Sequence, residues 1–328
     1  MTAPGAASIV RRMAPNARHA RHASLARTLL TLALALAPLA SAPLLGCGPS
    51  AASLGGGIKR GGATDPSAFA AAVSAGDAAF AARADRTQLE AAIARYEEAI
   101  KLKDDDVATY EKLARAHYLL SDGWLFFEQA DKKQQFLDTY AKGYGYAERG
   151  MRALSKEVEQ RLDAGVDLKD AAQLVGKDGI GLLYWYATNL GKWGNAQDIT
   201  VVLTYKDRIY AIMEQVYRLD PNFFYGAADR YFGAYYAIAP SFAGGDLDKS
   251  WSHFQTTMRL EPRYAATWNL IAEFYAPKRQ DEKLFDEMTQ KVLDVPVDVI
   301  PELAPETAIE KRKAESLRKR KAEGEFPF

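Results

Sequence analysis

The chain has 328 residues, with 42 Lys and Arg balanced by 42 Asp and Glu, so its formal charge is zero. That argues against a dedicated nucleic-acid binder, whose domain carries a basic excess. Its one cysteine, Cys47, excludes an intrachain disulfide framework and a multi-cysteine zinc site, while 48% hydrophobic and 11% aromatic residues suffice for a sizeable core.

The charge is unevenly placed. Residues 1–46 hold Arg11, Arg12, Arg18, Arg21 and Arg27 and no acid, leaving 37 basic against 42 acidic residues in the remainder. The basic stretch is followed by an apolar run, Thr28 to Ala42, interrupted by Pro38. A spanning helix needs about 20 apolar residues, so this shorter run reads as a secretory signal. Arg11-Arg12 lacks the flanking pattern of twin-arginine export. Leu44-Leu45-Gly46-Cys47 resembles a bacterial lipobox, with a small residue before the cysteine that would be acylated. An ordinary signal peptide followed by a chance cysteine is the bland alternative. Acylation at Cys47 would anchor the chain durably, each buried CH₂ contributing about 0.8 kcal/mol. Gly48 provides no inner-membrane retention signal, which favours the outer membrane, facing the periplasm. Residues 48–66 are rich in Gly, Ser and Ala and read as a flexible tether, with a random-coil span of roughly 25 Å.

From Ser67 onward the signals are helical. Leu89, Ala92, Ile93, Tyr96 and Ile100 recur at three- and four-residue steps, as do Tyr110, Leu113, Ala114, His117 and Leu120. Asp104-Asp105-Asp106 lacks calcium-loop spacing and is expected to cap a helix starting near Val107. Ala92, Tyr96 and Ala99, then Tyr110, Leu113 and Ala114, follow the tetratricopeptide (TPR) pattern of small and aromatic positions. Residues 121–180 fit it poorly, and longer helices are expected there. Ile209, Met213, Val216 and Pro221 form another second helix of a hairpin, and a helix is expected over 223–238. Gly244-Gly245 marks a turn, with Asp246 positioned to cap the next helix. Ser250, Phe254, Thr257 and Pro262 resume the pattern, then Trp268, Ile271, Ala272 and Tyr275, then Leu284, Met288 and Pro296. Pro262 and Pro296 stand 34 residues apart, the TPR period. Pro305 to Glu323 reads as a charged, solvated capping helix, with contact to anionic lipid headgroups as the alternative for its basic residues. The expected fold is an all-α, TPR-like helical-hairpin solenoid, a right-handed superhelix of antiparallel helix pairs. Residues 1–46 are the signal peptide, 47–66 the lipidated cysteine and tether, and 67–328 the helical domain.

A more specific resemblance rests on several segments in order. They are Tyr184-Trp185-Tyr186-Ala187 with Trp193; Leu219-Asp220-Pro221; Arg230 with Gly233, Tyr235 and Tyr236; and Pro240 leading to Gly244-Gly245-Asp246, Lys249 and His253-Phe254. Over about residues 85–323 the chain resembles the T-component of tripartite ATP-independent periplasmic (TRAP) transporters. Pro305-Glu306-Thr307-Ala308 departs from that family's usual start to its last helix. The resemblance implies a lipid-anchored, TPR-like protein able to form trimers. It implies docking of a periplasmic solute-binding protein, and a pore or groove for a small, hydrophobic ligand.

Catalytic motifs are missing. No Walker-A loop, His-Glu-x-x-His or Gly-x-Ser-x-Gly occurs in the sequence. His117 and His253 sit far apart and read as packing residues. The expectation is a protein without catalytic activity, cofactor, metal or nucleic-acid partner; an envelope enzyme is the remote alternative. Binding has more support, because aromatics are dense from Tyr184 to Phe242. Core packing is the bland reading of that density. The sharper one assigns a ligand or partner surface to Tyr184, Trp185, Trp193, Arg230, Tyr231, Tyr235, Tyr236, Phe242, Gly244, Gly245 and Asp246. A buried Arg230 needs a counter-charge, either an acid from another hairpin or an anionic ligand group. A TPR scaffold in an envelope-assembly complex is the second functional reading.

Overall fold

A computed structural model describes residues 56–328, and among them all regular secondary structure is helical. The expected signal peptide, Cys47 and the start of the tether lie outside the described residues. The chain opens with α1 (Pro66–Ala81), α2 (Arg86–Leu102) and α3 (Val107–Gly123). Each start is written by an aspartate: Asp65, Asp85 and Asp106 accept from Ala68 N, Thr87 N and Thr109 N. Such a carboxylate satisfies a helix donor that has no partner within the helix. Asp106 caps α3 as the sequence leads one to expect.

The next stretch only partly meets the expectation of long helices. α4 (Lys133–Leu154) has 22 residues, but α5 (Lys156–Asp163), α6 (Leu168–Ala171) and two 3₁₀ turns follow before α7 (Ile180–Asn195). The order continues with α8 (Ile199–Leu219), α9 (Phe223–Ile238) and α10 (Leu247–Leu260). Then come α11 (Ala265–Leu270), a π-helical turn at Ile271–Tyr275, α12 (Ala276–Arg279), α13 (Glu282–Asp294) and α14 (Ala304–Ala322). Most helices pack on neighbours in sequence: α1 on α2, α3 on α4, α7 on α8, α9 on α10. Short connections between mutually packed helices are the signature of antiparallel hairpins. The fold is therefore a TPR-like helical solenoid.

The periodic positions bury as expected. Leu89, Ala92, Tyr96, Tyr110, Leu113 and Ala114 are buried in the N-terminal hairpins, and Ser250, Phe254 and Thr257 in α10. One core cluster runs from α2 to α9 and takes in Ile309 of α14; a second joins α9 to the C-terminal helices. Small residues let the N-terminal helices close. A Cβ on Gly76 would lie 2.5 Å from the Tyr96 ring, and one on Gly150 2.5 Å from Leu182 and 2.9 Å from Tyr110.

Two expectations need correction. The tether is not free up to residue 66. Ile58 N donates to Glu159 (2.7 Å), Lys59 N to Asp104 (2.8 Å), Gly61 N to Asp105 (2.9 Å) and Thr64 N to the Leu102 carbonyl (2.9 Å). The Arg60 guanidinium reaches Glu159 and the carbonyls of Arg152 and Ala153. Glycine content signals freedom, but Ile58-Lys59-Arg60 carries an apolar and two polar anchors that dock between the α2–α3 turn and the α4–α5 corner. Nor is α14 a solvated cap. Thr307, Ile309, Ala314 and Leu317 are buried, and Ile309 seats against Gly123. Its charges are taken up internally: Glu306 pairs with Arg83 (2.8 Å) and Arg115 (3.0 Å), Arg320 with Glu273 (3.1 Å), and Lys321 with Asp286 (2.6 Å).

Candidate ligand cavity

The folding-back of α14 encloses a space. Residues of α3, α7, α8, α9, α11 and α14 surround a cavity of about 280 Å³, bounded mainly by apolar surface. That is near the lower end of ligand pockets, roughly 300–1,000 Å³. Its wall includes Tyr184, Trp185, Arg230, Tyr231 and Tyr235 from the residues singled out in the sequence. The other six stand elsewhere. Trp193 packs edge-on between Tyr144 and Tyr205. Tyr236 stacks on His253, with its hydroxyl 3.1 Å from that of Tyr210. Gly244 takes a left-handed turn at φ 98°, and Gly245 leaves no room for a Cβ, which would fall 1.8 Å from the Ala239 carbonyl oxygen. Asp246 caps α10 by accepting from Asp248 N and Lys249 N, 3.0 Å each. This segment is a structural turn, and Phe242 at its tip is 86% exposed.

The cavity edge is shaped by an unusual backbone. Phe224 (φ 44°), Tyr225 (φ 60°) and Gly226 (φ 73°) are consecutive left-handed residues at the start of α9. Glycine adopts this freely, but each aromatic residue there costs roughly 1–3 kcal/mol. Surrounding contacts hold the turn. Phe224 meets Tyr184 and Trp185 at ring-centroid distances of 5.4 Å, Tyr225 stacks on Tyr264 at 5.3 Å, and the Tyr225 hydroxyl donates to Glu302 (2.6 Å).

Arg230, 4% exposed, ties the same turn from within. Its guanidinium donates to the Phe224 carbonyl (2.8 Å) and to that of Tyr225, and lies 4.2 Å from the Tyr264 ring centre. The expected acid from another hairpin is not there: among the described residues no carboxylate pairs with it. Asp229, one residue earlier, faces the other way and accepts from His253 Nδ1 at 2.7 Å. Successive helix residues diverge by about 100°, so adjacency in sequence gives no pairing.

Every other cation of the wall has an acid. Arg115 pairs with Glu306 (3.0 Å), Lys192 with Asp122 (3.0 Å), Lys206 with Asp207 (2.8 Å), and Arg320 with Glu273 (3.1 Å). Lys313 pairs with Asp122 and with Glu310 (3.1 Å). Burial opposes the charge on Asp122, but Lys192 and Lys313 outweigh it and hold the carboxyl well below the usual carboxylate range. Burial likewise opposes the charge on Lys313, and Asp122 and Glu310 overcome it and raise its ammonium. Burial pushes the Tyr231 hydroxyl up, so it stays neutral. Among the described residues no group of His, Cys, Asp and Glu is arranged to hold a metal, and no helix is long and apolar enough to cross a membrane.

Sequence reasoning missed most of this wall. Arg115 and Tyr118 of α3, Tyr264 and Asn269 around α11, and Glu306 and Lys313 of α14 all line it. The TPR pattern marks helix faces, not which distant helix closes over them, and no residue signal pointed to α14.

Comparison with known proteins agrees with this architecture. No curated protein matches the chain significantly. A TPR-repeat model matches residues 82–121, the α2–α3 region. The model of the TRAP transporter T-component matches residues 125–324, which contain most of the cavity wall. That is well over half of the 328-residue chain, and the protein belongs to the TRAP transporter T-component family.

Proposed function

We propose that this T-component is a non-catalytic, lipid-anchored adaptor that docks a periplasmic solute-binding protein and hands a small apolar ligand to or from it. The observation that supports this most is the aromatic-walled cavity inside the region matched by the family model. A solenoid with a filled interior would serve docking alone. Tyr184, Trp185, Tyr231 and Tyr235 give that cavity apolar surface with a few polar tips, suited to a ligand that enters and leaves. Acylation of Cys47 would hold the protein at the outer membrane, and the restricted volume would raise the effective concentration of its partner. Trimer formation belongs to the same reading, by family resemblance.

Affinity capture of the tagged, lipidated protein from gently solubilised membranes, with mass spectrometry, tests the docking. Stoichiometric recovery of a solute-binding protein is expected. Recovery of envelope-assembly proteins would instead favour a TPR scaffold, and self-association alone would leave the adaptor reading without a partner.

A further inference from the structure

We infer that the C-terminal Phe326-Pro327-Phe328 is a releasable latch. Its two rings seat on α13 and, through Arg320, hold the end of α14 shut over the cavity. This rests on the ligand hand-over reading above and adds the place where the cavity opens.

The first ground is the seat. α14 stops at Ala322, and Gly324 turns the chain back at φ 78°. The Phe326 and Phe328 rings lie 5.0 Å and 5.5 Å from the Phe285 ring of α13 and stack on each other at 5.9 Å. Beneath them Phe285 is fully buried. The Lys321 ammonium stands 5.6 Å from the Phe285 ring and 5.8 Å from that of Phe328. It also pairs with Glu282 (2.9 Å) and Asp286 (2.6 Å) of α13. Two rings one residue apart thus fill a slot floored by an aromatic and edged by a cation, both favourable contacts for them.

The second ground is the link to the cavity. Leu317 and Arg320 of α14 line it, as do Glu273 and Phe274 of the π-helical turn. The Arg320 guanidinium reaches Glu273 on that wall (3.1 Å) and Glu325 in the tail (2.7 Å), and lies 5.2 Å from the Phe326 ring. Gly324 N and Glu325 N donate to the carbonyls of Lys321 and Arg320, 3.0 Å each. Carbonyls in the last turn of a helix have no partner within it. The tail therefore closes both the last turn of the roof and the side chain that ties the roof to the wall.

The third ground is the uneven hold on α14. Its first half is fixed by Ile309 against Gly123 and by Lys313 on buried Asp122. The tail is held more lightly: Glu325 and Pro327 are exposed, and only the two rings are half-buried. Segments with few buried apolar contacts open more readily than the core. A shallow cleft beside Phe328, lined by Glu282, Asp286, Gln290 and Arg318, leaves space for that ring to swing out. The match to the family model ends at residue 324, just before the tail.

The test compares the full chain carrying Cys47→Ser with the same chain ending at Gly324. Hydrogen exchange read by mass spectrometry should quicken about tenfold over Leu317–Ala322 and over Ile271–Tyr275 without the tail, the scale of two partly buried rings. Thr307–Lys313 should exchange as before. Release of N-phenyl-1-naphthylamine, an apolar dye that brightens in apolar sites, should quicken about tenfold on dilution. Its equilibrium affinity should stay within about threefold, because entry quickens too. Glu325→Gln, which keeps the rings and removes the bridge to Arg320, should give about threefold on both readouts. Faster exchange confined to the last turn of α14, with Ile271–Tyr275 unchanged, overturns the latch. So does an unchanged rate of dye release. If the dye does not bind the full chain, ligand hand-over falls and exchange at Ile271–Tyr275 alone decides the latch. If the shortened chain does not fold, Phe328→Ser and Glu325→Gln decide it on the same readouts.

Discussion

The N-terminal hairpins and the C-terminal half use the same unit and finish differently. Between α1 and α2, and where α4 meets α3 and α7, the helices close tightly, because glycines sit where bulky neighbours need their space: Gly76 against Tyr96, Gly150 against Leu182 and Tyr110. Around α9 the aromatics face one another instead, a left-handed turn displaces the helix start, and α14 roofs the gap. A stack of hairpins thus becomes solid or hollow according to where it places its smallest and largest residues, with the hydrophobic periodicity unchanged.

Breaking the roof should have the largest effect. Lys313→Met leaves Asp122 with Lys192 and the Tyr140 hydroxyl and takes the ion-pair partner from Glu310, a loss of about 3 kcal/mol. Urea denaturation should show it, and the cavity should lose its occupant affinity along with stability. If Lys313→Met proves as stable as the parent, α14 is not held by this pair.

The solid half should show itself in acid. His117 is wholly buried, its Nδ1–H donates to the Leu113 carbonyl (2.9 Å), and burial lowers its pKa to about 4. An unfolded histidine titrates near 6.5, so between those values the unfolded chain binds a proton that the folded one refuses. Stability is therefore intact above about pH 6.5 and falls as pH drops towards about 4, by on the order of 3 kcal/mol. In His117→Gln this part of the pH dependence should vanish from thermal-melt profiles, while the acid loss from Asp122, which lies below the usual carboxylate range, should remain.

Crowding the two halves sharpens the contrast further. Gly150→Ala pushes a methyl into Leu182 and Tyr110 and should cost about 1–3 kcal/mol. Ala234→Leu, on the cavity wall, has space to enter; it should change stability by less than about 1 kcal/mol and yet weaken binding of an apolar probe several-fold. Equal destabilisation by the two would mean that the hollow is already closed in solution.

How far the sequence could be read follows the same divide. Ser250, Phe254 and Thr257 are all fully buried, because helical periodicity records which face turns inward. Asp106 and Asp246 cap helices where their short side chains permit it. Phe224 and Tyr225 gave no warning of a left-handed turn, since only glycine advertises that conformation. The partners of α14 could not be inferred either: Lys313 meets Asp122 across 191 positions of sequence. A helix rich in charge reads as solvated until the opposite charges it lies against are known. Arg230 was legible as a buried cation but not in its pairing, because backbone carbonyls leave no mark in side-chain patterns.

The docked segment at Ile58–Thr64 gives the molecule a compass. With those residues fastened to the α2–α3 turn and the α4–α5 corner, the chain joins the folded body at one fixed place, beside Asp104 and Glu159. Whatever is attached ahead of Ile58 is therefore delivered at that corner and not at the cavity side of α14.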